Sequence, residues 1–336
     1  MSESPVKLSK GTVPTKDTKI ILAGAVKVPP IAIGCWQWGD KGVWNWTPEA
    51  EKDAKEAFDA AFQLGIPFYD TAEVYGKGES EREISRFREA YSEDDKKKQV
   101  IATKYFPNQE HTDFPDVLLS ALRDSLARLG IQKADLYQIH APVHPASIAT
   151  VANALADAHE AGLVTTVGVS NYGLDEIKEM HEALKKRGIQ LASNQISFSL
   201  VRTIPEKSGL IQLCHDLGIA ILAYSPIGMG LLTGKFGVNG PFPEARKGHW
   251  EKLDKEQLGN LLNTIQELAK KYDRQPSAIA LNWCIAKGTI PLAGARTAQH
   301  VRQNEAALGF LLSDDEISQL DQYAFVGENK SRWNHG

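Results

Sequence analysis

Four residues of this chain could together deliver a proton to a nascent alkoxide: Asp70, Tyr75, Lys104 and His140. Asp70 and Tyr75 share the string Asp70-Thr71-Ala72-Glu73-Val74-Tyr75-Gly76. Lys104 closes the apolar run Val100-Ile101-Ala102-Thr103-Lys104, and His140 closes Tyr137-Gln138-Ile139-His140. Hydride addition to a carbonyl leaves an alkoxide that must take a proton from a nearby acid. A phenol, with an ordinary pKa of about 10, is a poor acid at neutral pH. A close ammonium stabilises its phenolate, and a carboxylate keeps that ammonium charged and oriented. A neutral imidazole can polarise the carbonyl by hydrogen bonding. Carbonyl reduction asks for these residue types.

Such groups need rigid elements beneath them. Short runs rich in apolar, β-branched and aromatic residues occur at 31–35, 66–70, 100–104, 135–140, 164–170, 191–195, 219–224 and 289–293. Helical patterns lie between them, as at 48–64, 114–129, 145–160, 174–185 and 208–217. Strand–helix alternation predicts βαβ crossovers and a parallel sheet, and eight such units favour closure into a (β/α)8 TIM barrel. The segment 19–30 predicts an N-terminal β-hairpin around Ala23-Gly24. The segment 228–253 reads as a long Gly/Pro-containing loop. Extra helices are predicted at 256–271, before 276–286, and at 314–323, and the ending 327–336 reads as a surface loop. Residues 19–336 read as one barrel domain behind a disordered tail at 1–18. In a barrel, the strand ends carrying Asp70, Lys104, His140, Ser170 with Asn171, and Gln195 converge on the C-terminal face.

The string DTAEVYG, with Lys104 in ATK and His140 in QIHAP, resembles the aldo-keto reductase superfamily. The likeness runs from about residue 20 to about 325. It implies the barrel fold, Tyr75 as general acid supported by Asp70, Lys104 and His140, and NADPH/NADP+ bound without a Rossmann domain. Asp70 and, just after the first strand, Cys35 and Trp36 join the expected cofactor positions. Gly168-Val169-Ser170-Asn171 resembles the family's GVSN, which with Gln195 would hold the nicotinamide carboxamide. Tyr224-Ser225-Pro226 resembles its aromatic-Ser-Pro, the ring stacking on nicotinamide; Ile227, Gly228, Met229, Gly230, Leu231 and Lys235 follow on a pyrophosphate strap. Gly294-Ala295-Arg296 with His300, Gln303 and Asn304 resembles the adenosine-phosphate site, with Gln303 standing where the family often has Glu. Arg296 at a helix start suits a 2′-phosphate.

Trp36, Trp38, Trp44 and Trp46 crowd the loop after the first strand. They are expected to form an apolar substrate pocket with Phe106, Tyr75 and His140. The segments 36–46 and 106–114 and the C-terminal tail would set specificity. Aromatic aldehydes, pyridoxal, sugars and quinones all stay open as substrates. Pyridoxal is a candidate because IGCWQWGD and GVSNYG resemble the reductases of that subgroup.

A net charge of −4 leaves no global basic excess for nucleic acid. No apolar run nears the roughly 20 residues of a membrane helix, and the polar N-terminus lacks the core of a secretory signal. Its Ser, Thr and Lys content leaves a weaker reading as a transit peptide. Cys35, Cys214 and Cys284 lie in apolar segments without metal-ligand spacing, so they read as buried thiols of a reducing cytoplasm, and no metal is expected. Two rival readings follow. One is a cofactor-binding regulator of the ion-channel β-subunit type, relatives of which commonly lack the histidine that stands here as His140. The other is a barrel hydrolase or metal-dependent isomerase, which would need further carboxylates or ligands at the strand ends. The oligomeric state is not legible.

Overall fold

The computed structural model describes residues 6–329. It opens with an antiparallel hairpin of β1 (Ile20–Leu22) and β2 (Val26–Val28). Its turn is permitted by positive φ at Ala23 (45°) and Gly24 (71°). The barrel strands follow: β3 (Ala32–Gly34), β4 (Phe68–Asp70), β5 (Val100–Tyr105), β6 (Ala134–Ile139), β7 (Val164–Ser170), β8 (Leu191–Ser197), β9 (Ala220–Tyr224) and β10 (Thr289–Gly294). They close in the order β10-β3-β4-β5-β6-β7-β8-β9, all neighbours parallel. This is the predicted (β/α)8 barrel with its hairpin.

Helices bury one face against the strands. In Pro48–Gln63 the buried residues Ala54, Ala57, Phe58 and Ala61 fall on one stripe, and the Thr47 side chain caps the start by accepting from Ala50 N–H. The predicted extra helices are present as Lys255–Tyr272 and Asp314–Tyr323. The helix expected at 208–217 is instead a pair, Ile204–Lys207 and Leu210–Asp216, broken at Gly209, whose φ is 83°. A helix at Glu79–Arg88 was not visible in the pattern, because Glu81 and Glu83 are among its buried residues. Inside the expected loop 228–253 stand a 3₁₀ turn, Gly228–Thr233, and a helix, Glu244–Trp250.

The hairpin plugs the barrel's N-terminal end. Ile20, Leu22, Val26 and Val28 pack with Phe68, Ala220 and Ile290, which lie near the starts of their strands. Val6 joins this cluster and Leu8 packs against it. Residues 6–18, expected in a disordered tail, therefore follow a defined path, with Lys10 paired to Asp314 at 2.8 Å and the Pro14 carbonyl accepting from Gly309 N–H at 2.8 Å. Polarity suggested a tail, but Val6 and Leu8 anchor it. Residues 1–5 of that tail and 330–336 of the expected C-terminal loop lie outside the described residues. No helix among the described residues is long and apolar enough to cross a membrane.

With its lower end sealed, the barrel tolerates little extra volume within. A Cβ added at Gly168 on β7 would collide with Ser193 Oγ, with Gln138 Cγ and Leu136 Cδ1 at 3.2 Å. Gly168→Ala is expected to destabilise the fold by about 1–3 kcal/mol through overpacking. Chemical unfolding measures this, and an unchanged midpoint would show that the interior has room to spare.

Candidate active site

At the open end, the strand ends bring the four chemical side chains together. Lys104 points into the barrel and is wholly buried. Its Nζ donates to Asp70 Oδ1 at 2.6 Å and to the Thr71 carbonyl at 2.8 Å, and lies 3.5 Å from the Tyr75 hydroxyl. The other Asp70 oxygen, Oδ2, accepts from Gln195 Nε2 at 2.9 Å and from Gln138 Nε2 at 3.2 Å. The Tyr75 ring meets His140 edge-on, with centroids 5.6 Å apart, and Phe106 also meets His140 edge-on, at 5.7 Å. Among the described residues, no three His, Cys, Asp or Glu side chains gather as metal ligands.

Electrostatics follow from burial and one cation. Burial alone would lower the Lys104 pKa, but the negative charges of Asp70 and a Tyr75 phenolate overcome it, and the net direction is upward. The Tyr75 phenol is raised above its ordinary value, first by burial, with Lys104 pulling the other way. Lys104 thus moderates the phenol without bringing it below a free tyrosine. His140 falls well below the ordinary histidine value through burial and then through Lys104, so its imidazole is neutral.

Beside this cluster, the polar strand ends of β7 to β9 form a closed network. Ser170 Oγ donates to the Gln195 carbonyl at 2.8 Å, Asn171 Nδ2 donates to the His140 carbonyl at 3.0 Å, and Tyr224 OH donates to Asn171 Oδ1 at 2.9 Å. Asn171 and Ser225 have positive φ, 65° and 53°. After Ser225, Pro226 and Ile227 lead into the turn holding Gly228 and Gly230, where Met229 keeps a positive φ of 55°. Lys235 and Arg296 both lie near His300: the two cations, after burial, depress the His300 pKa. His300, Gln303 and Asn304 share the helix Ala298–Glu305, and Asn304 Nδ2 reaches the Gly294 carbonyl at 3.5 Å.

Several expected positions differ. Trp38 is not in the pocket: it is fully buried, its Nε1 donates to the Ala295 carbonyl at 2.8 Å, and its ring packs on Phe58, Tyr69 and Phe87. Trp46, half-buried, also packs on the core beneath. Trp36, 46% exposed, does stand over Tyr75 at 6.2 Å, and Trp44 crosses it at 5.5 Å. Cys35 and Leu231 turn their side chains into the interior, Leu231 against Trp250 and Leu258. Only their backbones could touch a ligand.

Two residues escaped the sequence. Gln138 is the penultimate residue of β6, within an apolar run, and a polar residue at an inward position was its sole sign. Arg246 lies on the unforeseen helix, its guanidinium 5.5 Å from the Trp44 ring that Arg296 approaches at 6.0 Å, and its Nη1 donates to the Met229 carbonyl at 2.7 Å. Among the described residues neither Lys235, Arg246 nor Arg296 pairs with a carboxylate. A cavity of about 430 Å³, lined by residues including Arg88, Gln99, Lys133 and Asp135, opens instead at the starts of β5 and β6. It lies at the opposite end of the barrel from the tetrad.

Comparisons with known proteins bear on the family and the fold. The family model for the aldo/keto reductase family matches residues 30–324. The chloroplastic pyridoxal reductase of Arabidopsis thaliana is 34% identical over 309 residues, covering 90% of this chain and 84% of that protein. The solved glycerol dehydrogenase of Gluconobacter oxydans superposes with a TM-score of 0.81 at 26% identity, covering 93% of this chain and 98% of that one. An aldo-keto reductase of Klebsiella pneumoniae, solved in complex with NADPH, shares the fold with a TM-score of 0.73 at 22% identity, covering 96% of this chain and 99% of its own. The tetrad at one barrel mouth and the match across the barrel have one explanation: this chain belongs to the aldo/keto reductase family.

Proposed function

We propose that the chain reduces an aldehyde or ketone to the alcohol with NADPH, Tyr75 supplying the proton. The observation that carries this reading is the buried Lys104 ammonium, 2.6 Å from Asp70 and 3.5 Å from the Tyr75 hydroxyl. When bound, the reduced nicotinamide supplies a hydride. The chain's own groups do the rest. Burial keeps the phenol protonated through the neutral range, so an acid is ready at the carbonyl oxygen. As its proton leaves, the phenolate is stabilised by Lys104, which Asp70 keeps charged. His140, held neutral, can hydrogen-bond the same carbonyl oxygen.

The donor set fits a dinucleotide. Arg246 and Arg296 share the Trp44 ring, Lys235 and Arg296 both act on His300, and repulsion from Arg296 is one cause, after burial, of the lowered Arg246 pKa. Cations that pair with no carboxylate among the described residues fit a ligand with several phosphate charges. Lys235, Arg246, Arg296 and His300 would hold the phosphates, and Ser170, Asn171 and Gln195 the carboxamide. A relative that acts on pyridoxal and the aromatic wall of Trp36 and Phe106 support a planar aldehyde as substrate. The regulatory-subunit reading gains no observation here, since His140 stands in the same cluster as Tyr75 and Lys104.

Tyr75→Phe is expected to lower kcat by roughly 10²–10⁴-fold. NADPH affinity, read by fluorescence titration, should hardly change, and a variant that keeps most of its kcat would remove Tyr75 from the chemistry. Lys104→Met leaves Asp70 buried without its counter-charge, at a cost of about 3–5 kcal/mol. In the folded fraction, Tyr75 loses the group that pulls its pKa down. The alkaline limb of kcat/KM should therefore move to higher pH while the plateau falls. A wild-type profile would make the lysine an idle strand end.

Arg296→Ala is expected to weaken NADPH by roughly 10–150-fold, the worth of a charged hydrogen bond of about 1.5–3 kcal/mol. NADH should be little affected. Calorimetric titration with both dinucleotides decides it: equal losses would place Arg296 on the shared pyrophosphate or in a structural role.

A further inference from the structure

The geometry points to Glu73 as a positioning residue for the proposed reaction, its carboxylate fastening the Tyr105–Phe106 peptide and so holding Phe106 and His140 in register with Tyr75. The inference rests on the reductase reading. Glu73 lies between Asp70 and Tyr75 in the chain, yet nothing in the proton path uses it. Its own N–H donates to the Lys104 carbonyl at 3.4 Å, and its Oε1 accepts from Phe106 N–H at 2.5 Å. The carbonyl of that same peptide, on Tyr105, accepts from His140 N–H at 2.8 Å. A carboxylate, one peptide and the next amide are thus bonded in series, and each polarises its neighbour. The series runs from the loop that carries Tyr75, across the end of β5, to the residue after β6. It ends at the rings in question, Phe106 edge-on to His140 and His140 edge-on to Tyr75.

Glu73 also titrates where the enzyme would work. Burial, opposed by the Phe106 N–H bond and by Arg128 and assisted by Glu81 and Asp124, pushes its carboxyl up to about 7. The phenols of Tyr105 and Tyr137 face it as well. The ionised carboxylate is the stronger acceptor, so the peptide is held tightly above that midpoint and loosely below it. Loosening moves Phe106 and His140 relative to Tyr75, a substrate effect and not a cofactor effect.

The test uses the full chain labelled with ¹⁵N-phenylalanine, as wild type, Glu73→Gln and Glu73→Ala. The Phe106 amide shift is followed between about pH 5 and 8. Steady-state kinetics with NADPH and 4-nitrobenzaldehyde, and NADPH dissociation constants, are measured on the same samples. The wild-type amide should titrate with a midpoint of about 7, and the Gln variant should be flat. Wild-type KM for the aldehyde should rise as pH falls through that midpoint. Glu73→Gln should show the acid-end KM at every pH, and Glu73→Ala should raise KM by roughly 10-fold or more. NADPH affinity should stay unchanged in both. A Phe106 amide that does not titrate overturns the inference, as does a titrating amide with wild-type kcat and KM profiles in the Gln variant. If the Ala variant fails to fold, the Gln variant decides. A wild type that turns over no aldehyde fails the reductase reading alone, since the amide titration reports on Glu73 in either case.

Discussion

Sealing an ammonium inside the end of a β-barrel costs several kcal/mol of lost hydration unless a charge and further hydrogen bonds answer it. Lys104 is sealed in this way, and much of the barrel mouth is arranged to answer it. Asp70 ends β4 and pairs in register with Ala102, two residues before Lys104 on β5. That offset lets the ammonium reach the carboxylate and the Thr71 carbonyl together. The carboxylate, equally enclosed, needs donors of its own, and Gln138 and Gln195 bring them from β6 and β8. One ion pair therefore ties β4, β5, β6 and β8 together at the mouth. Burial sets the direction at both neighbours, and the same cation opposes it at the Tyr75 phenol and adds to it at the His140 imidazole.

Residues at the ends of apolar runs were legible because barrel geometry turns a strand end into a site position. Asp70, Lys104, His140, Ser170, Asn171 and Gln195 follow from that rule together with the family resemblance. Gln138 did not, since it sits between Tyr137 and Ile139 and becomes meaningful only when closure brings it to Asp70, 68 residues away in the chain. Trp38 and Trp36 look alike in sequence. Only the fold, which brings the Ala295 carbonyl from 257 residues further on to the Trp38 indole, shows that Trp38 faces inward. The helix Glu79–Arg88 hid for an electrostatic reason. Its buried face carries Glu81 and Glu83, answered by Arg128 and Arg86, so the apolar stripe of an ordinary amphipathic helix is reduced to Ile84 and Phe87. The helix Glu244–Trp250 hid within a Gly/Pro-containing segment, where Trp250 anchors it against Leu231 and Leu258.

The two ends of the proposed dinucleotide site differ in how they can bind. At the nicotinamide end the polar groups already bond one another: Gln195 to Asp70, Ser170 to the Gln195 carbonyl, Tyr224 to Asn171. A ligand there exchanges one set of hydrogen bonds for another, and such exchanges yield little net free energy. They yield direction, because each donor sits on a strand end fixed by the barrel. At the other end Lys235 and Arg296 act on His300 and Arg296 repels Arg246, none of the three pairing with a carboxylate among the described residues, and Trp44 carries two guanidiniums near its ring. Phosphate charge relieves repulsion there that is present before binding, so binding is a gain and not an exchange. On the proposed reading, affinity comes from the adenosine-phosphate end and orientation from the nicotinamide end. The ion pair that holds the acid in place then need not be disturbed to bind the cofactor tightly.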